Sequence, residues 1–264
     1  MSDVLTYELD GPVALIGLNR PDKRNAIDDA LVEALRIAVA RANGEAKVGL
    51  VFGHGAHFSA GLDLAEHVTR TAVENVHHSR KWHAIFDTIE RGPIPYVSAL
   101  TGAVVGGGME LAASAHIRVA DDSAFFALPE GSRGIFVGGG GSVRVARLIT
   151  AARMADMMLT GRVLSAAEGE RAGFVQYLVP KGGTLAKARE VALRVARNAP
   201  LSNYAITNAL PRIQDLAHDD GLFFESLMAA MTQTTPEAQE RLREFLEKRA
   251  ERLAVPGEDK TRGA

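Results

Sequence analysis

Val48-Gly49-Leu50-Val51-Phe52 is a strand-length run without one polar side chain, and it constrains the fold more than any other stretch of the chain. A strand with water on one face alternates apolar and polar residues. A strand that is apolar throughout is covered on both faces, as in a parallel sheet under helices. The flanking segments agree. A helix is expected from Asp28, as its cap, to about Ala42, with Leu31, Leu35 and Ala38 on one face. A long helix is expected over Ala72–Glu90, stopped by Gly92-Pro93 ahead of a second buried strand, Tyr96–Leu100. Two earlier strands, Val4–Leu9 and Val13–Leu18, meet at Gly11-Pro12. The order strand, helix, strand, helix, strand implies right-handed crossovers and a largely parallel sheet.

Beyond Leu100 the pattern is strand, glycine-rich turn and helix, through Gly106-Gly107-Gly108-Met109-Glu110-Leu111-Ala112-Ala113. Short strands follow at Ile117–Ala120 and Ala124–Ala127. A second glycine run, Gly138 to Gly141, opens a helix expected to turn Val143, Ala146 and Leu148 inward. From about Ala151 the chain reads as mostly helical, with breaks at Pro180 to Gly183, Pro200, Pro211 and Pro236. Its last segment, Thr235–Arg252, is amphipathic and strongly charged, suited to packing on another subunit or to a solvated surface. The domain expectation is an α/β core over residues 1–195 and a helical region over 196–264.

Composition narrows the function. A formal charge of −2 over 264 residues argues against a general nucleic-acid binder. No apolar run approaches the roughly 18–20 residues needed to cross a bilayer. The start, Met1 to Glu8, lacks a basic region followed by an apolar one and carries acids, so it reads as neither signal nor transit peptide. The absence of cysteine removes disulfides, thiolate metal sites and a Cys nucleophile, and the default setting is cytoplasmic. His54, His57, His77, His78 and His83 lack the spacing that puts two ligands on one helical face, so no metal is expected.

Neither glycine cluster is a nucleotide loop: both lack the Gly-x-x-x-x-Gly-Lys and Gly-x-Gly-x-x-Gly patterns. Bare backbone at a helix start offers unpaired N–H groups and the positive end of the helix dipole. Gly107 therefore suits a donor to a developing oxyanion, or a tight turn that lets helix and strand pack. The small residues of Phe58-Ser59-Ala60-Gly61-Leu62-Asp63-Leu64 leave a second stretch of main chain open to a ligand. Glu110 lies one turn into an apolar helix and Glu130 follows Pro129 in a loop. Burial would raise either carboxyl toward the range of a general acid or base, while exposure would make either a plain surface acid.

Taken in order, four segments resemble the enoyl-CoA hydratase/isomerase (crotonase) family over nearly the whole chain: Asn19-Arg20-Pro21-Asp22-Lys23-Arg24-Asn25-Ala26, the stretch Phe58 to Leu64, Gly106 to Ala112, and Leu128-Pro129-Glu130 with Arg144 beyond a glycine turn. The resemblance implies a crotonase-like spiral of β-β-α turns with a C-terminal helical trimerisation region, in a homotrimer or dimer of trimers. It implies an acyl-CoA substrate, with coenzyme A entering as part of that substrate and no separate cofactor. It implies that the backbone N–H groups of Leu62 and Gly107 hold the thioester carbonyl, and that Glu110 and Glu130 flank a water. Arg24 stands where the family meets CoA phosphates. Ala26, Ala60, Asp63 and Leu64 would line the CoA channel, with Gly106 beside it. Glu244 to Arg249, including Lys248, resembles the C-terminal helix that covers a CoA site.

The sequence departs from the family after Glu130. In Gly131-Ser132-Arg133-Gly134-Ile135-Phe136-Val137, Val137 replaces a common proline, Gly131 an apolar residue, and Arg133 adds a charge near the acyl site. Hydration of a 2-enoyl-CoA is the leading expectation. Isomerisation, retro-aldol cleavage or thioester hydrolysis on the same scaffold, and a non-enzymatic acyl-CoA binder, are the alternatives.

Overall fold

The computed structural model describes residues 3–63, 70–247 and 249. The expected N-terminal hairpin forms: β1 (Leu5–Asp10) and β2 (Val13–Leu18) are antiparallel, turning at Gly11 with φ 57°, a left-handed backbone that glycine adopts freely. The Asp28 carboxylate accepts the Leu31 N–H at 2.7 Å and caps α1 (Asp29–Glu45). Leu31, Leu35 and Ala38 are buried, as their spacing requires. β3 (Val48–Gly53) runs parallel to β2. Thr71 and Glu74 form a capping box that starts α2 (Ala72–Glu90). There follow β4 (Tyr96–Leu100), β5 (Ala103–Val105), α3 (Gly107–Ser114), β6 (Ile117–Asp121), β7 (Phe125–Ala127), α4 (Gly141–Ile149), α5 (Ala151–Thr160), β8 (Leu164–Ser165), α6 (Ala166–Arg171), β9 (Tyr177–Val179), α7 (Thr184–Ala196), α8 (Pro200–Ile213), α9 (His218–Gln233) and α10 (Pro236–Leu246).

The larger sheet has the order β1-β2-β3-β4-β6-β9, parallel from β2 onward; the smaller has the order β5-β7-β8. Each turn of the chain places one strand in the larger sheet, steps to the smaller, and returns through a helix. β4, β5 and α3 make one such turn, and β6, β7 and α4 the next. β3 begins an earlier one, in which Ser59 pairs with Val104 of β5 before the chain reaches α2. Val48 and Leu50 pack with Ala188, Val191 and Ala192 of α7 on one face, while Val51 joins the core that contains α1, α2 and α3 on the other. The all-apolar strand is thus covered on both sides.

Two expectations need correction and one, the mostly helical part after Ala151, gains a detail. Val143 is 52% exposed rather than inward, and Ala146 and Leu148 are only half-buried. Arg144 takes the inward position on α4 because Asp87 and Glu90 of α2 pair with it, and this sets the rotation of the helix. Pro211 does not break the chain. It lies near the end of α8, where its missing N–H removes a single bond of the ladder, and the helix continues to Ile213. The part after Ala151 also includes β8 and β9, which at two and three residues are too short to show a period.

The chain divides into two compact units, Met1–Asn208 and Ala209–Ala264. The first holds both sheets and both apolar cores. The second holds α9 and α10; Thr235 caps α10 ahead of Pro236 at its first position.

Candidate active site

Three successive strand ends lie side by side and carry the candidate groups. Phe58 N donates to Thr101 O at 2.7 Å, Ser59 N to Ala103 O at 2.9 Å, and Val105 N to Ser59 O at 3.0 Å. The next segment joins through Gly106 N to Ala127 O at 2.9 Å. One spiral turn thereby supplies Leu62, the next Gly107 and Glu110, and the third Glu130.

On the first segment, Gly61 O accepts from Ile27 N at 2.7 Å and Asp63 N donates to Ile27 O at 2.9 Å. Peptide groups alternate along such a bridge, so the Leu62 N–H faces away from Ile27. Gly61 has φ 86°, and a Cβ there would stand 2.5 Å from Val105 O and 3.1 Å from Gly107 N. Only glycine allows this approach. Gly107 opens α3, where an N–H has no acceptor one turn earlier. A Cβ on Gly107 would lie 3.6 Å from Leu62 N. The two amides therefore stand close together, and neither has a partner among the described residues.

Glu110 is 3% exposed, one turn into a helix whose every residue is buried. Its Oε1 accepts the N–H groups of Gly139 at 2.8 Å and Gly141 at 2.7 Å. Burial raises its pKa, and these two bonds and the nearby Arg144 oppose the rise without cancelling it. Arg144 holds the glycine turn in place: Nη1 donates to Gly139 O at 3.0 Å while Nε pairs with Glu90 at 2.7 Å and Nη2 pairs with Asp87.

Glu130 is 7% exposed and precedes a 3₁₀ turn, Gly131–Arg133. Its Oε2 is buried without a partner among the described residues. Burial pushes this carboxyl up to about 7; the charge of Glu110 adds to the rise, whereas Arg133 and a backbone N–H oppose it. Gly106 sits against it, since a Cβ there would lie 2.8 Å from Glu130 Oε1.

Glu110, Glu130, Leu62, Gly106, Gly107 and Ala60 all line one cavity of about 390 Å³. Arg24, Ala26 and Asp63 are not on its wall; they lie on two hydrogen-bonded segments next to its residues Ala60 and Leu62. Arg24 is exposed, with φ 51°, and its carbonyl accepts Ala60 N at 2.9 Å. The Ala26 carbonyl accepts from Arg20 at 2.6 Å, and the Asp63 carboxylate meets Arg20 at 2.9 Å and Lys23 at 3.1 Å. Leu64 and Lys248 lie outside the described residues. His54 bonds to Thr6, His57 accepts from Ala103 N, and His78 meets Asp29, so these histidines serve the fold around the site.

Sequence pattern alone does not mark Trp82 as a site residue. It lies on the cavity wall with its ring against Gly107, and a Cβ on Gly107 would meet it at 2.9 Å. Its spacing from Phe86 on a helix was the available signal, and the two rings meet edge-on at 5.8 Å. The cavity wall formed by Asn75, His78 and Ser79 had no signal beyond helical periodicity.

A family model described as enoyl-CoA hydratase/isomerase matches residues 8–253. The 2,3-dehydroadipyl-CoA hydratase of Escherichia coli (strain K12) is 31% identical over 239 residues, covering 90% of this chain and 93% of that protein. A solved structure provisionally named as an enoyl-CoA hydratase, from Rhodopseudomonas palustris CGA009, superposes with a TM-score of 0.90 at 54% identity, covering 93% of this chain and 95% of its own. The enoyl-CoA hydratase of Bacillus anthracis superposes with a TM-score of 0.87 at 30% identity, covering 93% and 97%. With its spiral of strand-strand-helix turns and these matches, the chain belongs to the enoyl-CoA hydratase/isomerase family and is an enzyme of crotonase fold.

Proposed function

We propose that this enzyme adds water across the 2,3 double bond of a 2-enoyl-CoA and releases a 3-hydroxyacyl-CoA. The observation that carries the reading is two buried carboxyls of raised pKa in one cavity with two unpaired main-chain donors. The Leu62 and Gly107 amides hold the thioester oxygen and stabilise the enolate that forms when C3 is attacked. Glu110, fixed through Oε1, takes a proton from the water as its oxygen bonds to C3. Glu130 delivers a proton to C2, and proton exchange between the two carboxyls and solvent restores the starting state. As neighbours they titrate as a pair. Fixed amides cost no reorganisation as charge develops, which is why main chain suits the task.

Arg24, Ala26, Ala60, Asp63, Leu64, Gly106 and Lys248 are assigned to the coenzyme A portion, and no further cofactor enters the scheme. A homotrimer or dimer of trimers, with the helical region from residue 196 packed on the core or a neighbour, belongs to the same reading, as does a cytoplasmic location. No described helix is long and apolar enough to cross a membrane.

The test is loss of the conjugated thioester absorbance of crotonyl-CoA, with Glu130→Gln as control. Rapid loss that depends on Glu130 supports hydration. Turnover unaffected by the substitution rejects the assignment, and product analysis separates hydration from isomerisation, retro-aldol cleavage and thioester hydrolysis.

A further inference from the structure

Besides the reacting groups, the cavity wall carries apolar and cationic side chains. α2 runs along it. Phe86 packs at Gly139, beside Glu110, and Trp82 lies against Gly107. His78 and Asn75 follow toward the helix start, where Arg70 stands just before the cap. Asn75 is seven residues from Trp82, about 10 Å along the helix axis. Ile135 and Phe136 form wall on the facing segment, and Phe136 is 69% exposed, an aromatic side chain left uncovered. Arg133 also lines the cavity, and its guanidinium makes no ion pair or hydrogen bond with any described residue. Arg70 and His78 share one carboxylate, Asp29, at 3.3 and 3.0 Å. Apart from the two reacting glutamates, no acid lines this cavity among the described residues.

We infer that the acyl group carries a carboxylate at its far end, with its methylenes against Trp82 and Phe136 and its carboxylate met by Arg133. This rests on the hydratase reading only in placing the thioester at Leu62 and Gly107. A neutral chain filling the cavity would strip water from the Arg133 guanidinium and return no acceptor, which disfavours binding. A carboxylate supplies two oxygens to the planar fork of the guanidinium. Were Arg133 there only to bias Glu130, it would act alike on every acyl chain. Were it a phosphate contact, free coenzyme A would register its loss.

Saturated thioesters read affinity without turnover, so a failure of hydration is seen separately. Calorimetric titration of the full-length protein would compare succinyl-, adipyl- and suberyl-CoA with butyryl-, hexanoyl- and octanoyl-CoA, matched in length, alongside free coenzyme A. At the best-fitting length the dicarboxylic thioester is expected to bind about tenfold tighter than its neutral partner, the scale of one charge-assisted contact. Arg133→Gln should abolish that preference and leave free coenzyme A unchanged. Arg133 is exposed, so its replacement removes no buried contact from the fold. Equal binding of the two members at every length overturns the inference. A preference that survives in Arg133→Gln, or a loss shared equally by free coenzyme A, overturns it as well. A preserved preference in a protein that hydrates neither crotonyl-CoA nor the 2-enoyl dicarboxylic thioester of the best-fitting length sustains this inference and rejects the hydratase reading.

Discussion

The turn that carries Glu110 and the turn that carries Glu130 bury their carboxyls almost equally, at 3% and 7% exposure, yet treat them in opposite ways. Glu110 is tied to two peptide N–H groups whose turn is itself clamped by Arg144. Glu130 keeps one oxygen without any partner among the described residues. A buried carboxyl with donors is held in one place; a buried carboxyl without them holds its proton more readily. The first arrangement suits a group that positions a water and the second a group that gives up a proton. Each is also confined by its own glycine, Gly141 against Glu110 and Gly106 against Glu130.

The sharpest test replaces each acid by its amide. Glu110→Gln and Glu130→Gln should each lower turnover of crotonyl-CoA about a thousandfold, the range of a lost acid or base, with affinity for a saturated thioester little changed. Retained turnover in either variant would break the division of labour. Gly141→Ala should come next. Its Cβ would stand 2.8 Å from Glu110 Cγ and 2.9 Å from Oε1, so the carboxyl must move. A displacement of this size should cost about a hundredfold in kcat while KM holds, measured by steady-state kinetics.

Stability separates the two sites next. Glu110→Ala leaves the amides of Gly139 and Gly141 without an acceptor and should lower stability by about 3 kcal/mol, several degrees in Tm. Glu130→Ala removes an unsatisfied group and should not. The sign with pH follows from the raised Glu130 value of about 7. A raised carboxyl contributes fully below its unfolded pKa and loses that contribution as pH rises through the folded one. Thermal unfolding of wild type against Glu130→Gln should therefore favour the variant more at pH 8 than at pH 5. The smallest effect concerns Arg133, whose charge opposes the rise at Glu130. If Glu130 must be protonated, kcat/KM falls as pH rises through about 7. Arg133→Gln should move that fall upward slightly, and added salt should shrink the displacement because Arg133 is exposed. A downward movement would contradict the geometry.

How much of this was legible depends on range along the chain. Asp28 as a cap, α1, α2 and β4 were readable because caps, breakers and periodicity act within a few residues. The phase of α4 was not, because Arg144 turns inward only when Asp87 and Glu90, over fifty residues earlier, stand opposite it. Trp82 reads as one more apolar helix residue until the fold sets it against Gly107. The pairing of Asp63 with Arg20 and Lys23 is likewise invisible to any local pattern, because the fold brings together segments far apart in the chain.

By itself the sequence determined the strand and helix segments through α4, the bare backbone at Gly107, and which two carboxyls to watch. The order of motifs also placed it in its family. Only the tertiary structure decided that Leu62, Gly107, Glu110 and Glu130 share one cavity, because they come from three spiral turns that meet through hydrogen bonds between strand ends. It also decided that one carboxyl is satisfied and the other is not. A residue type carries its hydrogen-bonding capacity wherever it stands, whereas burial and the supply of donors are properties of the packed chain.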